Sequence, residues 1–199
     1  MKRITFIFSL LFTLGLLPVS GQNGGAGKSA ADNAEGPQVG QSAPDFELPW
    51  ATQEKLYISR NEWLKLSSLQ GSNVILAFYP ADWSGGCTTE VCTFRDSWND
   101  LAKLDAKLLA ISGDYVFSHQ EWAKHHKLDF PLLQDHDHAI AKLFGSYQPA
   151  LGGINKRTVY LIDKKGIVRY KNLAFKAGAK EDYESLRAEL MKLQSPPSK

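Results

Sequence analysis

The chain has two cysteines, and both fall in one short stretch, Cys87-Thr-Thr-Glu-Val-Cys92. A thiol is a weak nucleophile until it loses its proton, and at an ordinary pKa of about 8.5 only a few per cent is ionised at pH 7. The sequence before Cys87 supplies what ionisation needs. Pro80-Ala-Asp-Trp-Ser84-Gly-Gly-Cys87 follows the apolar run Asn73–Tyr79, so a strand leads into a Gly-rich turn, and the turn into a helix whose first turn carries the thiol. The unpaired N–H groups and positive dipole end of a helix favour thiolate over thiol. Gly85 and Gly86 let the backbone come close to whatever the sulfur attacks. From these residues alone two readings of Cys87 stand: a reactive nucleophile, or a small buried hydrophobe, the usual fate of a free cysteine.

The elements that must position this segment alternate along the chain. Asn73–Tyr79 is a continuous apolar run of strand length, suited to burial on both faces, and it ends at Pro80. Val91, Phe94, Trp98, Leu101 and Leu104 recur at spacings of three and four, which predicts a helix from after Ser84 to about Leu104. Lys107–Ile111 reads as a second buried strand, and Ser118 as the N-cap of a helix reaching His126. Phe130–Leu133 looks extended, and Ala139–Phe144 reads as a short helix closed by Gly145. Asp-Lys-Lys-Gly between Thr158–Ile162 and Ile167–Tyr170 is a hairpin signal. Glu181–Leu193 closes the chain as an amphipathic helix, with Tyr183, Leu186, Leu190 and Leu193 on one face. The expected class is α/β, a mixed central sheet flanked by helices.

Several of these segments resemble the peroxiredoxins, the alkyl hydroperoxide reductase C and thiol-specific antioxidant family. Pro80-x3-Ser84-x2-Cys87 is similar to its Pro-x3-Thr/Ser-x2-Cys signature, and Val39-Gly-Gln-Ser-Ala-Pro-Asp-Phe46 to its opening strand. Cys87-Thr-Thr-Glu-Val-Cys-Thr-Phe-Arg-Asp96 resembles the family's active-site helix, and Ile111–Leu143, with Ser118-His119 and Phe130–Asp135, its next segment. Arg157-Thr-Val-Tyr-Leu-Ile-Asp163 resembles the strand that carries the family's active-site arginine. The likeness covers roughly residues 38–194. It implies a thioredoxin-like fold and reduction of hydroperoxides, without a cofactor, by Cys87 as the peroxidatic cysteine. By the same resemblance Pro80 shields the thiolate and Ser84 hydrogen-bonds the peroxide. Arg157 stabilises the thiolate and the developing charge; taken alone it reads as a surface ion-pair residue. These roles suit the chemistry, since O–O cleavage needs an ionised nucleophile and fixed donors aimed at the leaving oxygen.

A cysteine five residues after the peroxidatic one resembles the bacterioferritin comigratory, or peroxiredoxin Q, branch, in which that position resolves the sulfenic acid as an intramolecular disulfide. Five residues on a regular helix place Cα atoms about 8.7 Å apart, whereas a disulfide wants less than about 7 Å. If both cysteines lie on the helix, bridging them requires its first turns to unwind. The other reading of Cys92 is a core residue in an enzyme that works with one cysteine. The sequence also departs from the family at three places near the thiol: Gly85 stands where Pro is usual, Trp83 where Phe or Met is usual, and Ser84 where Thr is usual. Residues 52–66 are longer than the usual connection. These departures are expected to tune rate and access.

Lys2-Arg3 followed by the apolar stretch Ile4–Val19 reads as a signal peptide over residues 1–21, with Val19-Ser20-Gly21 at the cleavage site. The stretch is short for a membrane span and is broken by Pro18, and no cysteine near it could carry a lipid. The protein is therefore expected to be exported, periplasmic or secreted, in a bacterium, without stable membrane association after cleavage. The full chain of 199 residues carries 23 Lys+Arg and 21 Asp+Glu. Removing Lys2 and Arg3 leaves a net charge of zero, which gives no reason to expect nucleic acid as a partner. Residues 22–37 hold no large apolar side chain and read as a flexible linker to a domain over 38–194, with a tail over 195–199. With 43% hydrophobic and 22% charged residues the chain is not disordered throughout, and two cysteines cannot form a disulfide framework.

His125-His126 and His136-Asp-His138 have no partner set with structural zinc spacing, so no metal is expected, and His119 reads as a structural residue at a helix start. The expected partners are a hydroperoxide and a thiol reductant protein, in a monomer or weak dimer. Two other functions compete. A thioredoxin-like thiol–disulfide oxidoreductase of exported proteins is disfavoured by the C-x4-C spacing, and a copper or metal carrier by the lack of a C-x3-C pair.

Overall fold

The computed structural model describes residues 35–194, without the side chains of 98–102 and 151. The signal peptide expected over 1–21, residues 22–34 of the expected linker and the tail lie outside the described residues, as do the side chains of Trp98 and Leu101. One boundary moves. Gly36 and Pro37 are already buried, because Gly36 (φ +64°) lies against the Phe144 carbonyl and the Tyr160 hydroxyl, where a Cβ would collide. The folded unit therefore begins before residue 38.

Seven strands form one mixed sheet: β1 (Trp50–Ala51), β2 (Leu56–Tyr57), β3 (Asn73–Phe78), β4 (Ala106–Ser112), β5 (Leu132–Gln134), β6 (Thr158–Ile162) and β7 (Val168–Asn172). Their spatial order is β7-β6-β3-β4-β5-β1-β2. β3, β4 and β5 run parallel at the centre, and the outer pairs are antiparallel. The helices are α1 (Gly85–Lys103), α2 (Val116–His126), α3 (Ala139–Leu143) and α4 (Lys180–Lys192).

The apolar run of β3 is continuous because both of its faces are covered. Ile75 and Ala77 join Cys87, Val91 and Phe94 of α1, Trp122 of α2 and Leu186 and Leu190 of α4 in one core. Val74, Leu76 and Phe78 point the other way, to Phe46, Ala141, Phe144 and Tyr160. β4 divides in the same manner, with Leu108 and Ala110 on the first face and Leu109 and Ile111 on the second.

Two expectations are corrected. Val39–Phe46 is not a strand: it makes a turn with Gly40 at φ +91° and a single bridge, Ser42 to Ile167, and strand pairing begins only at Glu47. Pro44, having no N–H, cannot extend a ladder there. Ser118 does not cap α2. The helix begins three residues earlier after Tyr115, and Gln134 Oε1 accepts from the Val116 N–H at 3.0 Å; the Ser118 hydroxyl is drawn instead to the buried Asp82 carboxylate at 2.7 Å. The long connection over 52–66 adds β2 to the sheet edge, where Tyr57 stacks on Trp50 with ring centroids 3.6 Å apart.

Phe144 is fully buried among Phe46, Phe78 and Tyr160. Phe144→Ala is expected to lower stability by about 3–5 kcal/mol, read from the urea midpoint. A loss under about 1 kcal/mol would show that this face is not a close-packed core.

Candidate active site

Cys87 and Arg157 are 70 positions apart in sequence, and sheet topology brings them together. β6 pairs antiparallel with β3 in the register Thr158 to Phe78. Arg157, just before β6, therefore lies beside the carboxyl end of β3, the end from which the chain turns into α1. Parallel strands need crossovers whose helices start at this end of the sheet, which is where α/β folds collect their sites.

Cys87 is fully buried in the first turn of α1. Arg157 Nη2 donates to its sulfur at 3.3 Å, while Nη1 donates to Glu90 Oε2. A Cβ on Gly86 would stand 3.3 Å from Arg157 Nη2, so the glycine leaves room for the guanidinium over the thiol. Glu90, three residues after Cys87 on the same helix face, is itself fully buried, and its Oε1 has no hydrogen-bond partner. Burial pushes the Glu90 carboxyl up to about 7, against the opposing pull of Arg157. A thiol and a carboxyl thus flank one cation, and the guanidinium fork serves both.

The other expected residues take these places. Pro80 is half-buried at the end of β3. Ser84, also half-buried, donates its hydroxyl to the Ala81 carbonyl at 3.1 Å, and its own carbonyl accepts from the Thr88 N–H at 2.9 Å, starting the ladder of α1. Cys92 lies on the same helix with its thiol free, partly buried against the first core and 3.8 Å from His126 Nδ1. Cys87 is free as well. Because both belong to α1, the separation of about 8.7 Å for five helical residues applies.

Sequence reasoning missed the groups that hold the loop between β3 and α1. Asp82 is buried and accepts from the Tyr79 hydroxyl at 2.7 Å and the Ser118 hydroxyl at 2.7 Å, with His119 Nδ1 at 2.9 Å. Its N–H donates to Asp114 at 2.9 Å. Trp83 stands in the left-handed region (φ 61°) and is about half exposed, its indole N–H donating to Ser118 Oγ at 3.1 Å. The period-two and period-3.6 patterns carry no sign of such a cluster. Only the buried strand end followed by Asp82, together with Ser118-His119 in a helix, pointed toward it. The remaining histidines scatter: His136 meets Tyr115 and the Gly113 carbonyl, and His138 meets Asn155. Among the described residues no three His, Cys, Asp or Glu side chains converge as metal ligands.

Residues 39–171 match the AhpC/TSA family. The chain belongs to that family. Among AhpC/TSA relatives, it is 40% identical over 137 residues to a putative peroxiredoxin bcp of Coxiella burnetii, covering 66% of this chain and 85% of that one. Peroxiredoxin Bcp of Bacillus subtilis is 35% identical over 158 residues, 75% of this chain and 95% of that one. Wheat chloroplastic peroxiredoxin Q is 41% identical over 107 residues, 54% of this chain and about half (49%) of that longer protein. The crystal structure of peroxidoxin BcpB from Mycobacterium tuberculosis superposes with a TM-score of 0.68 at 32% identity, covering 79% of this chain and 98% of that one. The fold of this AhpC/TSA protein is thioredoxin-like.

Since the folded state holds the Glu90 proton more tightly than the unfolded chain, the stabilisation present below about pH 4.5 is lost as pH rises to about 7. Glu90→Gln keeps an acceptor for Arg157 and cannot ionise. The stability difference between wild type and Glu90→Gln is expected to move by roughly 3 kcal/mol across that window, with wild type losing ground as pH rises. Denaturant titrations at several pH values check this, and a pH-independent difference would contradict the assignment.

Proposed function

We propose that this peroxiredoxin-type thiol peroxidase reduces hydrogen peroxide and organic hydroperoxides through Cys87, and that Cys92 resolves the oxidised cysteine as an intramolecular disulfide. The observation that carries the reading is the 3.3 Å contact from Arg157 to the sulfur of the fully buried Cys87. The guanidinium stays charged at any working pH and stabilises both the thiolate and the negative charge that grows on oxygen. In the reaction the Cys87 thiolate attacks the terminal peroxide oxygen. An S–O bond forms, the O–O bond breaks, and water or an alcohol leaves. Ser84, whose hydroxyl rests on the Ala81 carbonyl, turns to hydrogen-bond the peroxide, and Pro80 keeps bulk water from the sulfur.

The first turns of α1 then open and bring Cys87 to Cys92. The S–S bond forms, water leaves, and a thiol reductant protein regenerates both thiols. Full burial of Cys87 weighs against direct attack on a protein disulfide, the alternative thiol–disulfide oxidoreductase reading, because a bulky partner cannot reach the sulfur of the closed site. The basic and apolar amino terminus supports export, followed by work outside the cytosol.

Stopped-flow mixing with hydrogen peroxide is expected to consume the Cys87 thiol within seconds, and Arg157→Met to slow that step by a factor on the order of a hundred or more. Cys87→Ser should remove it. A rate no faster than that of free cysteine, or insulin reduction faster than peroxide reduction, would refute the peroxidase reading. After one equivalent of peroxide, mass spectrometry should find a Cys87–Cys92 bridge in wild type. Cys92→Ser should instead retain one added oxygen on Cys87; a wild type that also retains it would remove Cys92 from the cycle.

A further inference from the structure

Cys92 does not sit in an ordinary helix-surface setting. His126, the last residue of α2, presents Nδ1 at 3.8 Å from its sulfur, within the longer reach of a hydrogen bond to sulfur. Trp83 and Trp122 both pack against the imidazole, with ring centroids 6.3 and 5.9 Å away. One turn further along α1, Arg95 Nη1 donates to the His126 carbonyl at 2.6 Å, tying the helix to the end of α2 just beyond Cys92.

We propose that His126 is the base that prepares the resolving thiol, accepting the Cys92 proton at Nδ1, and that Arg95 is a positioning residue that keeps this part of α1 docked while the turns bearing Cys87 open. The proposal rests on the reading of Cys92 as the resolving cysteine. Its division of labour answers the helix constraint: Cys87 travels, and Cys92 waits beside its base.

The step balances. Cys92 gives its proton to His126 Nδ1, the ring proton of the neutral imidazole being on Nε2. The Cys92 thiolate attacks the sulfur of the Cys87 sulfenic acid, supplying the electron pair of the new S–S bond. The S–O bond breaks, and the oxygen leaves as water after taking the proton held by His126. Cys92 is oxidised and Cys87 is reduced.

The surroundings keep the imidazole in its basic form. Burial first, then repulsion from His125 on α2 and Arg95 on α1, hold its pKa below the usual histidine value. The remaining charged groups act through Arg95, which pairs with Asp96 on its own helix and feels Asp129 from the loop after α2. An uncharged ring at neutral pH can take a proton; an imidazolium cannot.

The test follows resolution separately from peroxide reduction. His126→Gln is expected to slow the conversion of Cys87 sulfenic acid to disulfide on the order of a hundredfold, so that the sulfenic acid, trapped with a dimedone-type reagent, accumulates where wild type shows only the bridge. Free imidazole in the buffer should restore part of the rate, and the wild-type rate should fall as pH drops through the titration of His126. In a Cys87→Ser background, alkylation of Cys92 by iodoacetamide should slow when His126 becomes Gln and lose the same limb of its pH profile. A merely structural role for His126 would show neither rescue nor the loss of that limb. Resolution at an unchanged rate in His126→Gln would overturn this proposal alone, while a wild type that forms no Cys87–Cys92 bridge would overturn it together with the reading beneath it.

Discussion

The antiparallel pairing of β6 with β3 is the constraint on which the site depends. Thr158 opposite Phe78 fixes where the residue before β6 stands, and in a strand the side-chain direction reverses at every position. A slip of one residue would exchange the two faces of β6 and turn Arg157 away from α1. The register is held by burial on both sides: Val159 and Leu161 belong to the core shared with Cys87, and Tyr160 and Ile162 to the core shared with Phe144. The two hydrophobic layers therefore position a guanidinium as well as stabilising the fold.

That guanidinium has two demands upon it. Glu90 and Cys87 share one face of α1, so a thiolate would face a carboxylate among buried side chains were Arg157 not between them. A buried carboxylate is expensive unless paired, and pairing with Glu90 is what stops the arginine from folding out into solvent. When Glu90 takes up a proton, the guanidinium charge is left to the sulfur. The carboxyl and the sulfur thus share one cation, and Arg157 is the link between them.

Much of this was legible in the sequence because it is local. Strands β3, β4 and β6 and helices α1 and α4 announce themselves by uninterrupted or helically spaced apolar residues, and the thiol by its place after a Gly-rich turn. Arg157 was legible only through resemblance: it stands 70 positions beyond Cys87, and by itself it looks like a surface cation. Glu90 had a faint signal, its spacing of three from Cys87, but a helical glutamate is ordinarily exposed. The Asp82, Ser118 and His119 cluster left no mark on the apolar patterns, because burial of a polar group is decided by what lies above it in three dimensions. The same blindness made Ser118 look like a helix cap and Val39–Phe46 like a strand. The cap, a local preference, gave way to a distant partner, and the strand, carried over by resemblance, to a missing N–H at Pro44.

Trp83 shows how such a loop can be held in tension. A bulky residue in the left-handed region carries a penalty of roughly 1–3 kcal/mol, and here it is kept there by the indole bond to Ser118 and by contact with His125 and His126. The closed loop is accordingly a cocked one. Were those contacts to part, the backbone would relax toward ordinary geometry, and the energy released would offset part of the cost of melting the first turn of α1. Glycine at position 85, the first residue of α1, stands at that junction in place of a ring that would stiffen it.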